Sequence, residues 1–404
     1  MSRENDGLEP PTRREYLTRG GTVVVGGLLA GCVGNTGRES TPESTTTGTT
    51  TATDIKTSTT AAEPSMESGP TTTDSSYSVS MEPVGTVELD DVPETWVPFT
   101  GDYADMGVAL GQADGLAAIG VRRRFGAQLY EELPDVSVDK SGLTELWQDG
   151  TDKEIFYELD ADVHVIDPNF VLDRLQWSQD DVDEIRENVA PFFGNTTFTQ
   201  VYDWHDYPYY SMYEAFEKLA AVFQERDRYE AFKGYHDEVL AEVTERLPEE
   251  TPDVAILVPA DVPPDAFWPY RIGSGTQSKH WTDLSAGDAL ARNDVTDAQA
   301  GGGRIDYEVL LEIDPEVIAI RLSGGITQDW VDENITAHMR EHSIASELTA
   351  VQNDRVVYGG MTYQGPIIHL FQLEAAARGL YPDEFGGEQL FDRQRVADII
   401  NGDI

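Results

Sequence analysis

Apolar residues are spread very unevenly along the chain of 404 residues. In the first eighty positions only the run Val23 to Ala30 stands out, and between Asn35 and about Ser80 large apolar side chains almost vanish. From Val84 onward short apolar bursts recur: Val84 to Leu89, Gly115 to Val121, Asp162 to Asp167, Val254 to Val258 and Val317 to Ile320. Each has the length of a strand. Several are apolar at every position rather than at alternate ones, which is the mark of strands covered on both faces. Helical stretches fall between them, at Leu284 to Arg292 and Tyr307 to Glu312 among others. Helix and strand in alternation predict an α/β fold with parallel sheets.

The pattern also repeats. Asp152 to Ile166 aligns without gaps on Asp306 to Ile320, with Asp152/Asp306, Glu154/Glu308, Glu158/Glu312, Asp160/Asp314, Val163/Val317 and Ile166/Ile320 identical. Each copy reads as a short helix, a tight turn carrying Asp, and a buried strand, so the folded part is expected to be two doubly wound lobes. Between them, Met212, Phe216, Leu219 and Phe223 share one helical face, and Phe232, His236, Val239, Val243 and Leu247 resume it. Read as one rod of ~35 residues, this is a helix of roughly 50 Å joining the lobes. The expected boundaries are an N-terminal lobe over 84–207, a connecting helix over 208–248 and a C-terminal lobe over 249–404.

The remaining N-terminal segment reads as an address and a tether. Arg13-Arg14 precedes the short apolar run, which ends in Leu29-Ala30-Gly31-Cys32. That order resembles a twin-arginine export signal closed by a lipobox, so residues 1–31 are expected to be a signal peptide. The apolar run is too short to span a bilayer. Cys32, the only cysteine, is the expected lipidation site, and it leaves no disulfide framework. Residues 32–83, rich in Thr and Ser, are expected to be a disordered spacer.

Charge narrows the function. With 28 Lys and Arg against 74 Asp and Glu, the formal charge is −46. No basic surface is available to displace phosphate counterions, so nucleic acid is excluded as a partner. Only six of the basic residues are Lys. This composition resembles that of proteins from salt-loving archaea, where at molar salt a Debye length of ~3 Å screens the self-repulsion.

The ordered set of segments resembles one family across 84–404. Gly101-Asp-Tyr-Ala-Asp-Met-Gly-Val-Ala-Leu-Gly111 followed by Gly115 to Val121, Glu308 to Ile320 with its Asp-Pro-Glu turn, and Leu348 to Tyr358 with Asn-Asp-Arg-Val-Val-Tyr at its end are similar to segments of the ABC-importer solute-binding proteins that carry ferric siderophores, cobalamin or haem. The resemblance implies a class III binding protein: two lobes joined by one rigid helix, no cofactor, no catalysis, and an ABC permease and ATPase as partners. Siderophore is the commonest solute in the family. It also implies that Glu154 and Glu308, one on each repeat, dock on arginines of the permease, where charge-assisted bonds fix register.

Ligands of open α/β sheets lie beyond the carboxyl ends of the strands. That rule nominates Tyr103, Arg122, Arg123, Arg124, Asn169, Trp204 and His205 in the first lobe and Tyr270, Arg271, Arg321 and Tyr363 in the second. Guanidinium groups pair with carboxylate or catecholate oxygens and aromatic faces cover apolar rings, which suits an anionic or ring-bearing chelate. One enzymatic alternative is present. His338-Met-Arg-Glu-His342 matches the H-x-x-E-H pattern of a zinc-peptidase class and would make the chain a metal-dependent hydrolase or chelatase. No Gly-x-Ser-x-Gly elbow, no phosphate loop with Lys and no Cys/His pair accompanies it.

Overall fold

The computed structural model describes residues 76–404 apart from Asp149. The expected export signal, Cys32 and most of the expected spacer therefore lie outside the described residues. Order begins before residue 84. Strand β1 (Tyr77–Met81) pairs antiparallel with β2 (Gly85–Leu89), burying Val79 and Met81 on the face that also carries Val87 and Leu89. The alternation Tyr-Ser-Val-Ser-Met is a strand pattern, but its serines continue the composition of the spacer and hide it.

The first half is a set of short parallel strands. β3 (Trp96–Pro98) leads into α1 (Gly101–Ala109), a helix buried at all nine positions. β4 (Ala118–Ile119) pairs with β5 (Thr144–Glu145), and a bridge from Leu116 to Trp96 joins this pair to β3. Helix α2 (Glu154–Leu159) then feeds β6 (Val163–Val165), which lies parallel to β3.

The connector is not one rod. Helix α3 (Met212–Val222) opens with a Ser211–Glu214 capping box, and α4 (Arg226–Glu245) follows after three residues. Gln224 between them takes a left-handed φ of 55°. The two helices pack face to face, with Tyr213 against His236 at 5.0 Å and Phe216 against Tyr229 at 5.4 Å. This is an αα-hairpin. Its apolar positions keep helical period on both sides of the turn, so period alone cannot separate one long helix from two that face each other. Helix α4, at 20 residues about 30 Å long, packs against α1 from the first half and against two helices of the second half described below.

The second half is one mixed sheet. β7 (Asp253–Pro259) is followed by β8 (Ala266–Tyr270), helix α5 (Lys279–Asp283), β9 (Gly287–Asp288), β10 (Ile305–Asp306), helix α6 (Tyr307–Ile313), β11 (Val317–Ile320), β12 (Val356–Tyr358), helix α7 (Pro366–Leu380) and helix α8 (Arg393–Asn401). The order is β10-β8-β7-β11-β12, with β9 also on β7. β7, β11 and β12 are parallel, whereas β8 runs antiparallel to its neighbours β7 and β10. The expectation of purely parallel sheets thus holds for the centre and fails at one edge, as is common in large α/β sheets. Helices α7 and α8 are the two that close on α4.

The internal repeat is geometric as well as sequential. Asp160 ends α2 at φ 45°, ψ 47°, and Asp314 ends α6 at φ 43°, ψ 63°, both left-handed caps. Asp162 accepts the Glu94 and Thr95 N–H groups at the start of β3, and its counterpart Glu316 accepts the Asp253 N–H at the start of β7. Each repeat thus pins the strand beside it through a carboxylate at the same position. The two caps differ in one respect, because Asp314 also accepts the amide and hydroxyl of Thr349, both at 2.8 Å. A left-handed non-glycine residue costs about 1–2 kcal/mol. Asp160→Gly is therefore expected to leave stability unchanged or raise it by up to about 1 kcal/mol, whereas Asp314→Gly loses two bonds of about 1 kcal/mol each and is destabilising. Urea denaturation of the two variants checks the difference.

Candidate functional site

Four of the nominated residues converge, and they come from both halves. Arg124 ends the turn after β4, where a bond to the Tyr363 hydroxyl holds its half-buried guanidinium and Tyr270 and Tyr202 also face it. Arg321 follows β11 directly, with its guanidinium 5.4 Å from the Tyr270 ring. Tyr363 lies in the loop before α7 yet packs into the apolar cluster of the first half, edge-on to Phe198 at 5.1 Å. Two residues that the sequence reading did not name complete the group. Tyr202 faces Arg124, Tyr363 and Tyr270, and Arg174, exposed at the end of the helix Pro168–Arg174, lies over the Tyr202 ring at 5.3 Å. The result is three guanidinium groups among three phenols in a chain of strongly negative charge.

None of the three arginines forms an ion pair among the described residues. The carboxylates that act electrostatically on Arg321 and Tyr363, Asp297 and Asp102, are already engaged. Asp297 accepts the Arg271 and Gln299 backbone N–H groups, and Asp102 accepts the Tyr103 N–H and the hydroxyls of Thr197 and Thr276. Arg321 is the extreme case. It is 1% exposed, donates only to Gln277 (the carbonyl at 3.0 Å and Oε1 at 3.5 Å), and its Nε has no partner. Burial lowers its pKa to about 10, as desolvation of an uncompensated cation must. A buried guanidinium without a carboxylate is costly to the fold and suited to an anion.

The cluster is open at Arg174 and closed over its inner members: Arg321 and Tyr363 are 1% and 5% exposed, so a chelate reaches them only if the halves part. A void of about 10 Å³ lined by Phe99, Thr100, Asp167 and Phe198 lies close by and has room for no more than a water. A groove of about 720 Å³ lies elsewhere, between β1 and α3, and none of the six residues lines it.

The other nominated residues stand apart. Tyr103 is locked in the core, its hydroxyl donating to the Asn195 carbonyl at 3.0 Å and accepting the Asn195 N–H at 3.1 Å. Arg122 pairs with Glu145 at 3.4 Å and Arg271 lies 3.9 Å from Asp288, both partly exposed. Arg123 packs along Gly324 of the second half. Asn169 sits in the first turn of its helix, its N–H on Asp167. Trp204 and His205 extend an aromatic stack from Tyr202: Trp204 lies 5.0 Å from Tyr202 at 14°, and His205 is enclosed by Tyr207 and Tyr209. Burial lowers the His205 pKa to about 4, so the ring is neutral.

The zinc alternative lacks a ligand set among the described residues. Nδ1 of His342 accepts the N–H groups of Ile344 and Ala345, its ring packs on Tyr307, and the His338 ring centre is 6.0 Å away. Among the described residues no group of three or more His, Cys, Asp or Glu is placed to hold a metal ion.

With this geometry in view, comparison with known proteins is decisive. A family model described as periplasmic binding protein matches residues 99–362, well over half of the chain. The chain belongs to that family. It is a binding protein of the periplasmic type, built on the class III fold. No curated protein matches it at the sequence level. Similar solved structures include the iron uptake ABC transporter substrate-binding protein PiuA of Streptococcus pneumoniae, at TM-score 0.52 and 16% identity over 75% of this chain and 98% of that one. The petrobactin-binding protein YclQ of Bacillus subtilis has TM-score 0.54 and 14% identity over 76% and 99%. CeuE of Helicobacter pylori with Ni(II) bound has TM-score 0.54 and 15% identity over 77% and 91%. Such identities speak for the fold of this binding protein and leave its solute to be argued from the cleft. No described helix is long and apolar enough to cross a membrane.

Proposed function

We propose that this binding protein captures an anionic metal chelate, a ferric siderophore, between its halves and delivers it to the permease and ATPase subunits of its importer. The observation that carries the reading is Arg321, a buried guanidinium with no carboxylate, backed by Arg124 and Arg174. Three cations with three phenols offer pairing to carboxylate or catecholate oxygens and stacking to aromatic rings. A neutral chelate would leave the cations unmatched. Binding proceeds without a cofactor and without chemistry on the solute. Export by the twin-arginine route and a lipid on Cys32 would hold the protein on the outer face of the cytoplasmic membrane. Glu154 and Glu308 are the proposed permease contacts. Both are exposed, and neither forms an ion pair among the described residues.

Thermal unfolding in high salt, against a ferric tris-catecholate, a ferric hydroxamate, cobalamin and haem, tests the reading. The anionic catecholate is expected to raise the midpoint most, by about 2.7 kcal/mol of stabilisation at a hundredfold excess over Kd. Equal stabilisation by the neutral hydroxamate, or none by any of the four, would count against it.

A further inference from the structure

Helix α7 begins without a cap of its own. Its N-cap is Gly365, which has no side chain to offer, so the first N–H groups of a 15-residue helix need another partner. The partner comes from the other half of the chain. Asp105 on α1 accepts the Ile367 and Ile368 N–H groups at 2.9 and 3.0 Å through Oδ2, and the Tyr130 hydroxyl at 2.6 Å through Oδ1. It is 0% exposed. One turn earlier, Asp102 accepts the hydroxyl of Thr276, also from the second half, at 3.4 Å. The approach is close enough to require glycine at 365, because an added Cβ would stand 2.6 Å from the Asp102 carbonyl oxygen and 2.7 Å from Asp105 Oδ2.

The loop that ends in Gly365 also carries the cleft. Tyr363 is bonded to Arg124. Gln364 donates to the Thr276 carbonyl, lies 2.7 Å from Nδ1 of His280, and accepts from Gln372 at 2.8 Å. Whatever fixes the start of α7 therefore fixes Tyr363 within two residues.

We propose that Asp105 is the positioning residue of the cleft: by clasping α7 across the two halves it sets Tyr363 against Arg124 and keeps the cleft closed until the clasp lets go. The inference rests on the reading of the cleft as the solute site. Asp105 acts through Tyr363 and does not itself meet solute. Its surroundings give the clasp a pH dependence. It is faced by Tyr130, by Tyr213 on α3, by Asp102 on its own helix and by the N-terminus of α7. Burial raises its carboxyl to about 7, and Asp102 adds to the shift. A carboxyl released to solvent returns to about 3.9. The clasped state thus holds the proton more tightly, so the clasp is strongest below about pH 4 and weakens as pH rises through 7. The protonated group keeps every bond, because Oδ2 still accepts both N–H groups while Oδ1–H donates to Tyr130. Asparagine presents the same pattern.

The test uses the full chain, unlipidated, with Cys32→Ser and spin labels at Asp173→Cys and Glu333→Cys, both exposed positions in opposite halves. Dipolar spectroscopy without ligand is expected to show the wild-type distance lengthening as pH rises from about 4 to about 7. Asp105→Asn is expected to stay at the short distance throughout, and Asp105→Ala at the long one. With a ferric tris-catecholate as probe, Asp105→Ala is expected to bind at every pH as the wild type does above pH 7, and Asp105→Asn at every pH as the wild type does in acid, so that both lose the wild-type pH profile. A wild-type distance that does not move with pH, or an Asn variant that moves in parallel with it, overturns the proposal even if the Ala variant does not fold. Because the labels read the ligand-free protein, failure of the wild type to bind any chelate would sink the solute reading and leave the clasp standing.

Discussion

Arg321→Met is expected to abolish capture of an anionic chelate while leaving the fold as stable as before, or more so. The two effects separate because the guanidinium is a burden to the empty protein. Taking a cation out of water costs several kcal/mol even after relaxation, and Arg321 recovers little of that from two contacts to Gln277, with Nε unpaired. Met fills a similar volume with apolar atoms, so urea denaturation is expected to show a gain of about 1–4 kcal/mol, the range seen when buried charges give way to packed side chains. Binding should move the other way. Removing one partner of a desolvated charge pair costs about 2–5 kcal/mol, which corresponds to roughly thirtyfold to several thousandfold in Kd. Isothermal titration with a ferric tris-catecholate reads this directly. Binding and stability falling together would mean that Arg321 braces the second half and has no part in recognition.

Reversing charge at both Glu154 and Glu308 is expected to stop importer-dependent uptake without touching chelate affinity. The pair occupy equivalent places at the start of α2 and α6, both exposed. They are two carboxylates among 74, and what distinguishes them is their company. Tyr157 and Leu311, again equivalent in the repeat, are 43% and 37% exposed and are among the few large apolar side chains left in solvent. An acidic residue beside an exposed apolar one, presented twice, suits a partner with two matching basic sites. Glu154→Arg with Glu308→Arg would place cation against cation there, a penalty of several kcal/mol per contact. Uptake of radioactive iron by cells carrying the double variant, with binding measured on the purified protein, separates docking from capture. Undiminished uptake would remove these residues from the interface.

How far such features are legible depends on the distance over which they are encoded. β11 could be read directly, because Val317-Ile-Ala-Ile320 is apolar on both faces and the Asp-Pro turn marks its start. The repeat was legible for the same reason, since helix, left-handed Asp and strand are all local. β1 was not, because its serines matched the segment before it. The break at Gln224 was not either, for a glutamine in the left-handed region has no glycine or asparagine to announce it. Within the cleft, Arg321 follows β11 immediately and Arg124 ends the turn after β4, and the carboxyl-end rule found them. Tyr103, Arg122 and Arg271 satisfy the same rule and are turned elsewhere by Asn195, Glu145 and Asp288, partners that local sequence does not reveal. Arg174 comes seven residues after Asp167, at the far end of a helix whose beginning was nominated. Asp105 and the start of α7 are separated by 262 positions, and no periodicity connects them.

The αα-hairpin in the middle of the chain bears on how the molecule can come apart. One continuous apolar cluster runs from Val79 and Trp96 through Phe216, Phe232 and Val243 to Val317, Ile367 and Ile400. The halves therefore share this interior, beside which the first half has a further apolar cluster around Phe156 and Ile185. Severed after Glu245, either piece would be left with a raw hydrophobic flank, so this architecture offers evolution little chance to swap one half for another.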